Sequence, residues 1–385
     1  MKRRTYLKAG LKAGLAAIGA QSLGAWASAD SGEYLVYFGT YTDLAARGIY
    51  AYRFQPSTGK LTSIGLVATT PNPAFLVATP NGRFLYAVNW KGDEREKQGD
   101  TVIAYAIDRK TGKLTFLNKV DSKGEMPTNL ATDHSGKTLL VVSYTGGNIV
   151  GYQIEPDGKL SAPTAYFEHR GKSVHPVNGP HSHGVIVSPD NKHAFVGEVG
   201  LDQVRSYSLD AAKGKLTPSD PPFVSVTPGT APRHLAFHPS GKYLYVNDES
   251  RPAVTVFAVD GGHLKEIQEV PAIPADFKGR DATAEIQIDQ KGRFVYVSNR
   301  GHDSIAVFSV DQATGKITPV QYASSLGKTP RNFSLDPTGE YLFAANQNSD
   351  TVVPFKVDPE TGKLTPTGEP ISVPKPVCVL FVKAQ

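Results

Sequence analysis

An internal repeat with a period of roughly 50 residues constrains the fold of this chain more than any other feature. Each copy is an apolar, β-type run that contains an aromatic residue and ends in a turn related to the letters TGKL. The seven aligned aromatic residues are Tyr52, Tyr105, Tyr152, Tyr207, Phe257, Phe308 and Phe355. A repeat of this length that is built from strands is typical of the blades of a β-propeller.

A second repeated motif precedes the first and predicts antiparallel hairpins, because short alternating runs are joined by Pro, Asp and Gly turns. Six hairpins are complete, and "PRHLAFHPSGKYLYVNDE" (232–249) is one of them. The seventh is divided between "EYLVYFGTY" (33–41) and "KPVCVLFVKA" (375–384). Pairing of these two ends would close a ring and remove open sheet edges, whereas an open solenoid would need capping repeats. The sequence therefore predicts an all-β, seven-bladed β-propeller with four-stranded antiparallel blades, in a single domain over residues 30–385.

Residues 1–29 have the features of an export signal peptide. A basic start containing Arg3-Arg4 precedes an Ala/Leu/Gly-rich stretch, and Ala27 and Ala29 form an Ala-x-Ala site before Asp30. The basic start resembles a twin-arginine signal, and an ordinary general secretory signal is the alternative. Both predict a periplasmic or secreted protein.

The net charge of +5 belongs to this segment, since residues 1–29 contain no acidic residue. Its five basic residues are Lys2, Arg3, Arg4, Lys8 and Lys12. The rest of the chain is close to neutral, which favours neither nucleic acid nor an anionic membrane as a partner. We expect a monomer with no membrane contact after signal cleavage.

Cofactor motifs are missing from the sequence. Cys378 is the single cysteine, so no internal disulfide can form. There is no Cys/His cluster with zinc-site spacing and no Gly-rich phosphate loop. We therefore expect no cofactor and no metal.

Alignment of the repeats separates residues shared by most blades from residues found in few of them. Antiparallel pairing places the start of the first hairpin strand beside the end of the second, and the innermost strands of a propeller line its central channel. The predicted catalytic residues at this channel mouth are His183, Arg233, Glu249 and Arg300. The predicted substrate-binding residues are Arg331, Glu285, His234, Tyr41, Trp90 and Tyr144, with the three large aromatic residues forming the wall opposite the charges.

Simpler interpretations exist for several of these residues. Arg233 and Glu249 could form a salt bridge within one blade, and His181 competes with His183 for the channel position. A polar column near the strand ends is predicted to hold turns within each blade. Because oxygen ligands suit calcium, a calcium site is the alternative for four members of this column, which are Glu198, Asp248, Asn299 and Asn346.

Three stretches carry a family resemblance: "PRHLAFHPSGKYLYVNDE", "SPDNKHAFVGEVGLDQV" and "AEIQIDQKGRFVYVSNRGHDSIAVF". They resemble the seven-bladed lactonase family, which includes propeller-type 6-phosphogluconolactonases and fungal carboxymuconate cyclases. The resemblance covers nearly the whole chain after about residue 33. In the cyclase branch a histidine, two arginines and a glutamate are implicated at the channel mouth, which implies roles for His183, Arg233, Glu249 and Arg300. Glu198 departs from the pattern, since Asp or Ala is expected there.

The resemblance implies an enzyme that hydrolyses a small anionic or sugar-type lactone. Glu249 or His183 would deprotonate water. Arg233 or Arg300 would stabilise the oxyanion or hold a phosphate or carboxylate of the substrate. The alternatives are a calcium-dependent propeller lactonase and a non-catalytic extracytoplasmic binding scaffold, because a fold does not determine a function.

Overall fold

The computed structural model describes residues 32–43, 45–90, 100–172 and 179–385. The predicted signal peptide, residues 1–29, lies outside the described residues. Within these ranges no helix has the length and apolarity needed to cross a membrane. The helical segments described are short 3₁₀ turns at Val199–Leu201 and Gln347–Ser349.

The described residues form 29 β-strands, most of them six to nine residues long. In chain order the strands are β1 (Tyr34–Thr40), β2 (Gly48–Gln55), β3 (Lys60–Thr69), β4 (Leu76–Ala78), β5 (Phe84–Asn89), β6 (Thr101–Ile107), β7 (Leu114–Asp121), β8 (Pro127–Thr132), β9 (Thr138–Ser143), β10 (Asn148–Ile154), β11 (Leu160–Glu168), β12 (Ser182–Val187), β13 (His193–Glu198), β14 (Gln203–Asp210), β15 (Lys215–Ser225), β16 (Pro232–Phe237), β17 (Tyr243–Asp248), β18 (Ala253–Asp260), β19 (His263–Pro271), β20 (Ala282–Ile288), β21 (Phe294–Arg300), β22 (Ser304–Val310), β23 (Ile317–Ser324), β24 (Pro330–Leu335), β25 (Tyr341–Asn346), β26 (Thr351–Val357), β27 (Leu364–Pro366), β28 (Ile371–Ser372) and β29 (Pro376–Lys383).

These strands form seven antiparallel sheets, one for each blade. Blade 1 has the order β29-β1-β2-β3, and blades 2 to 6 each contain four consecutive strands from β4 to β23. Blade 7 contains β24 to β27, with β28 as a second short partner of β26. The predicted seven-bladed β-propeller is confirmed.

Ring closure depends on the two ends of the described chain. Strand β29 pairs with β1 from Tyr34, opposite Lys383, to Thr40, opposite Pro376. The innermost strand of blade 1 therefore comes from the C-terminal end and the other three from the N-terminal end, as the divided hairpin predicts. Closure supplies the fourth strand of blade 1, and the sheet edges that remain are the short, protected edges of a propeller.

The hydrophobic core consists of seven clusters, each lying between two neighbouring blades. Strand β9 shows the geometry: Leu139 and Val141 face blade 2, whereas Leu140 and Val142 face blade 4. Side chains alternate between the faces of a strand. Both faces of a blade are buried, so the middle strands are nearly continuous apolar runs rather than alternating ones.

The TGKL turns link neighbouring blades. The hydroxyl groups of Tyr86 and Tyr245, on second strands, donate to the carbonyl oxygens of Gly158 and Gly315, one blade further on. Gly158 has a φ of +86°, and a Cβ there would meet the Phe84 ring at 2.2 Å. The glycine of the repeat is therefore required by its conformation and by the close approach of the adjacent blade.

Candidate active site

A β-bulge near the start of the innermost strands explains why one sequence column faces the channel. In β12 the pairing passes from Ser182 to Gly184, and in β16 it passes from Pro232 to His234. The extra, unpaired residues at this position in five innermost strands are Thr128, His183, Arg233, Arg331 and Val377. A bulge of this kind redirects a side chain beside a site, and all five residues line one central cavity.

The central cavity contains about 320 Å³ of empty space. Its lining residues are Tyr41, Ala74, Phe75, Trp90, Thr128, His183, Arg233, His234, Arg331, Asn332 and Val377. Among the predicted site residues, His183, Arg233, His234, Arg331, Tyr41 and Trp90 are brought together here. Arg300, Glu249, Glu285 and Tyr144 lie next to this group, outside the lining itself.

Glu249 connects two arginines from neighbouring blades. Its Oε2 lies 3.3 Å from Nε of Arg233, and its Oε1 accepts a hydrogen bond of 2.6 Å from Nη2 of Arg300. Arg300 also donates to the carbonyl oxygen of Thr283 at 2.8 Å, and Nη1 of Arg233 donates to that of Ala284. Arg233 and Glu249 therefore form the salt bridge within blade 5, and Arg300 of blade 6 binds the same carboxylate.

The electrostatics of this trio favour its fully charged form. Burial would raise the pKa of Glu249, but Arg233 and Arg300 outweigh it and lower that pKa to about 2. Arg233 is only 2% exposed, and burial together with Arg300 lowers its pKa to about 9, still well above neutrality. Three arginines in and beside the cavity outnumber the two glutamates, so the site suits an anionic or strongly polar ligand.

His183, and not His181, lines the cavity. The His183 ring is buried between Tyr144 and His234, with ring centroids at 5.8 and 5.0 Å. Its Nδ1 has no hydrogen-bond partner among the described residues. Burial, followed by the charge of Arg233, lowers its pKa well below the usual value, so His183 is neutral. His181 instead stacks on Tyr144 and donates from Nδ1 to the Tyr144 carbonyl.

The predicted aromatic wall is divided in the structure. Tyr41 and Trp90 pack edge to face, with centroids 5.6 Å apart, and the Arg331 guanidinium lies 5.2 Å from the Tyr41 ring centroid. Tyr144 lies on the histidine side instead. Across the described part of the chain, no carboxylate pairs with Arg331, so its charge is available to a ligand.

A buried polar chain forms the floor of the cavity. His234 donates from Nδ1 to Glu285 at 3.2 Å, and Asn332 donates to the same carboxylate oxygen at 2.5 Å. Asn332 in turn accepts from the backbone N–H of Val379 in blade 1. Glu285 therefore pairs with a histidine and an amide rather than with an arginine, and it connects three blades beneath the site.

The polar column is partly hydrogen-bonded within the scaffold. Asn299 and Asn346 donate to the carbonyl oxygens of Ala272 and Ser325, which lie just after the preceding blade's outer strand. Asp248 accepts from the Thr255 hydroxyl. No group of three or more His, Cys, Asp or Glu side chains placed to hold a metal ion occurs in the described ranges. The contacts that are present agree with the structural interpretation, and Oδ1 of Asp248, Asn299 and Asn346, in three different blades, has no partner among the described residues.

Glu198 has a role that the sequence pattern did not reveal. Its Oε2 accepts hydrogen bonds from Nδ1 of His169 at 2.6 Å and from the Ser182 hydroxyl at 2.7 Å. Its Oε1 accepts from the backbone N–H of His181, and the Tyr207 hydroxyl donates to Nε2 of His169. This buried network fixes the start of β12, the strand that presents His183. The glutamate at position 198, where Asp or Ala is expected, is the one feature of the sequence that points to this network.

A second cavity, with about 1190 Å³ of empty space, lies on the other side of Glu249. Its lining comes from Tyr144, Val199, Glu249, Ser250, Pro252, Ile273, Gly279, Arg280, Asp281 and Ala282. Much of this wall belongs to residues 272–281, an irregular connection between β19 and β20. Sequence alignment missed it because this connection has no counterpart in the repeat.

Comparisons with known proteins agree with this geometry. The profile of the family described as lactonase, 7-bladed beta-propeller, matches residues 35–381. A 6-phosphogluconolactonase of Bacillus subtilis is 37% identical over 353 residues, covering 91% of this chain and 99% of that protein. A 6-phosphogluconolactonase of Formosa agariphila is 31% identical and covers 78% of this chain and 86% of that protein.

A solved structure is similar over the same region. The periplasmic gluconolactonase of Pseudomonas aeruginosa has a TM-score of 0.86 and 32% identity, covering 92% of this chain and all of that one. The family match spans nearly every described strand, and the seven blades of the structure are those that the family description specifies. The chain belongs to the seven-bladed β-propeller lactonase family.

Proposed function

We propose that this protein hydrolyses a sugar-type lactone, of the kind that 6-phosphogluconolactonases and gluconolactonases act on, in the central cavity. The observation that carries the proposal is the combination, around one 320 Å³ space, of a neutral histidine and two arginines with unused donors. Water must lose a proton as it adds to the carbonyl carbon, and the carbonyl oxygen becomes an anion. The ring C–O bond then breaks, and its oxygen takes up a proton to give the hydroxy acid.

His183 is proposed as the general base. Its neutral imidazole can accept the proton from water and return it to the ring oxygen. Glu249 is less suited, because a carboxylate held between two guanidinium groups with a pKa of about 2 is a weak base. The pKa of His183 is lowered as well, so position is what favours it: His183 lines the central cavity with an unpartnered Nδ1, whereas Glu249 lies outside the lining and is held by two arginines.

Arg233 and Arg331 are proposed to hold the negative charges. Nη1 of Arg233 is hydrogen-bonded to the Ala284 carbonyl, whereas Nε makes only an ion-pair contact with Glu249 and Nη2 has no hydrogen-bond partner within the described residues. Nη2 can therefore donate to the developing oxyanion from a preorganised position. Arg331, on the Tyr41 side, would bind a phosphate, a carboxylate or the hydroxyl groups of the substrate.

Glu249 and Arg300 are proposed as positioning residues for Arg233. Arg300 does not line the central cavity, and its guanidinium is bound to Glu249 and to backbone carbonyl oxygens. This arrangement would orient the Glu249 carboxylate, which in turn orients Nε of Arg233. The proposal requires no metal or cofactor, so turnover should be the same with and without a chelator.

Export of the folded protein to the periplasm and a monomeric state are also proposed. The support for export is the twin-arginine-like start of residues 1–29 and the similarity to a periplasmic gluconolactonase. Replacement of Arg3 and Arg4 by lysine should retain the protein in the cytoplasm if this route is used. Sedimentation analysis of the mature protein tests the monomer.

A hydrolysis screen tests the function. Purified mature protein is offered glucono-δ-lactone, galactonolactone and 6-phosphoglucono-δ-lactone, and acid release is followed after subtraction of spontaneous hydrolysis. We expect turnover of at least one lactone, and its loss in Arg233→Ala. Absence of turnover on the whole set, with a folded protein, would contradict the proposal. Comparing the phosphorylated and free lactones matters because sugar phosphates are mainly cytoplasmic, whereas the predicted protein is exported.

A further inference from the structure

The second cavity shares a wall with the site but is chemically different from it. Glu249 lines the second cavity and contacts Arg233, which lines the first. Tyr144 also lines the second cavity, and its ring contacts His183 in the first. A ligand whose reacting ring occupied the central cavity would therefore have this larger space beside it.

Polar groups without partners converge on the second cavity. The hydroxyls of Tyr144 and Ser250 and the guanidinium of Arg280 have no hydrogen-bond partner among the residues that the structure describes. Apolar surface lies between them, from Val199, Pro252 and Ile273. Hydrogen-bonding groups set around a partly apolar surface are the usual lining of a small-molecule site.

The charge balance of the second cavity favours a neutral occupant. Arg280 and Asp281 contribute one charge of each sign to the lining, and the Glu249 carboxylate is paired with Arg233 and Arg300. The central cavity, by contrast, has Arg331 without a carboxylate partner. An anionic group of the substrate would prefer the central cavity, whereas a ring of neutral hydroxyl groups matches the second.

The sizes of the two cavities also favour a neutral sugar ring in the second cavity. The central cavity, with about 320 Å³ of empty space counted together with open solvent, is the smaller of the two and admits only a compact group. The neighbouring space of about 1190 Å³ can hold a further ring and remain open to solvent. A single gluconolactone would leave the second cavity and its donors unused.

We infer that the second cavity is a subsite for a neutral sugar attached to the lactone, so that the protein accepts glycosylated aldonolactones. This inference rests on the proposed lactonase function. The lactone ring lies in the central cavity beside His183 and Arg233, and the attached sugar lies between Tyr144, Ser250 and Arg280. A reaction that oxidises the reducing end of an oligosaccharide must supply such a substrate.

The test compares kcat/KM for glucono-δ-lactone and for its 4-O-β-glucosyl derivative. In Arg280→Ala, the ratio of the second value to the first should fall about fivefold to tenfold, the effect of one or two hydrogen bonds. In Ser250→Trp, which fills the cavity, the ratio should fall further. Both positions are exposed, so the variants should fold, and circular dichroism checks this.

Lys278→Ala is the matched control, because Lys278 is an exposed cation on the same connection and donates to Ala275 rather than lining the cavity. Its ratio should equal that of the wild type. If glucono-δ-lactone is hydrolysed but the glucosyl derivative is not, or if both ratios are unchanged, the subsite is refuted and the lactonase function stands. A fall for 6-phosphoglucono-δ-lactone instead would identify an anion site and also refute it. Hydrolysis of none of these lactones would overturn the proposed function together with the subsite.

Discussion

Replacement of Glu249 by glutamine tests whether the Arg233–Glu249–Arg300 trio organises the site. Glutamine keeps the size and one acceptor oxygen but removes the charge that both guanidinium groups face. The carboxylate is bonded at 2.6 Å to Arg300 and lies 3.3 Å from Arg233. Arg233 is 2% exposed and would then be a buried cation without a counterion.

The magnitude follows from the carboxylate's pKa. A decrease from 4.5 to about 2 corresponds to ~3 kcal/mol of favourable interaction with the ionised form. A quarter of the Glu249 side chain is exposed, so solvent screening reduces this to about 2–3 kcal/mol. We expect Glu249→Gln to lose about that much free energy of unfolding near neutral pH. We also expect kcat/KM to fall by ~10²-fold, because Arg233 loses its orientation.

The pH dependence has a definite sign. Because the folded state lowers the pKa of Glu249, its contribution is complete above the unfolded value of 4.5 and is lost as the pH falls towards 2. The stability difference between wild type and Glu249→Gln should therefore be largest near neutrality and shrink on acidification. Urea unfolding at several pH values measures it, and acid release from glucono-δ-lactone measures the activity.

A surface pair supplies the control. Glu340 pairs with Lys356 at 2.7 Å, and both side chains are nearly half exposed. Glu340→Gln should change the free energy of unfolding by less than ~1 kcal/mol and leave kcat/KM unchanged. If Glu249→Gln behaved like Glu340→Gln in both measurements, the trio would be an incidental ion pair and our account of the site would be wrong.

Three further predictions follow from the same geometry. His183→Gln should lower kcat/KM by roughly 10²–10⁴-fold. The wild-type pH profile should fall at a pH below the ordinary histidine pKa of 6.5, because His183 becomes protonated there, and the variant should lack this fall. A variant whose activity still fell in the same pH range would exclude His183 as the base. Burial raises the pKa of Asp248 well above 3.8, so wild-type stability falls by up to ~1.4 kcal/mol per pH unit as the pH rises from there to the folded-state pKa. Asp248→Asn, whose side chain resembles the neutral acid, should therefore be more stable than the wild type in urea at alkaline pH, and lower stability there would refute this. Arg331→Ala should raise KM for 6-phosphoglucono-δ-lactone about tenfold or more, with a smaller effect on the uncharged lactone; equal effects on both would contradict the anion-binding role.

The fold could be predicted in some detail because the copies of the repeat can be aligned with one another. Seven aligned copies give the number of blades, and the divided hairpin predicts the pairing of β1 with β29. The bulges at Thr128, His183 and Arg233 could not be predicted, since no local residue type demands them. The bulges lie where the innermost strands begin, beside the narrow channel. The crowding at this position exists only when the ring of blades is closed.

The site was partly predictable for the same reason. Differences between blades in two aligned columns predict a separate role for His183 and Arg233 in one column and for Glu249 in the other. The contacts between these residues depend on how far each side chain extends towards the neighbouring blade, and this cannot be determined from the sequence. The sequence therefore predicts Tyr144 on the wall of Tyr41 and Trp90, whereas the structure places its ring against His183.

A symmetrical scaffold can support asymmetric chemistry only if unlike residues occupy equivalent positions. The bulge supplies these positions, and Thr128 and Val377 show that it also accepts small neutral side chains without a charge partner. A buried arginine in the same position is tolerated because Glu249 and the Ala284 carbonyl replace the water it has lost. Blade 5 supplies Glu249 and Arg233, and blade 6 supplies Arg300 and the Ala284 carbonyl, so the proposed catalytic arrangement and the packing of these two blades share the same contacts. Stability and activity should therefore be coupled at this interface more strongly than anywhere else around the ring.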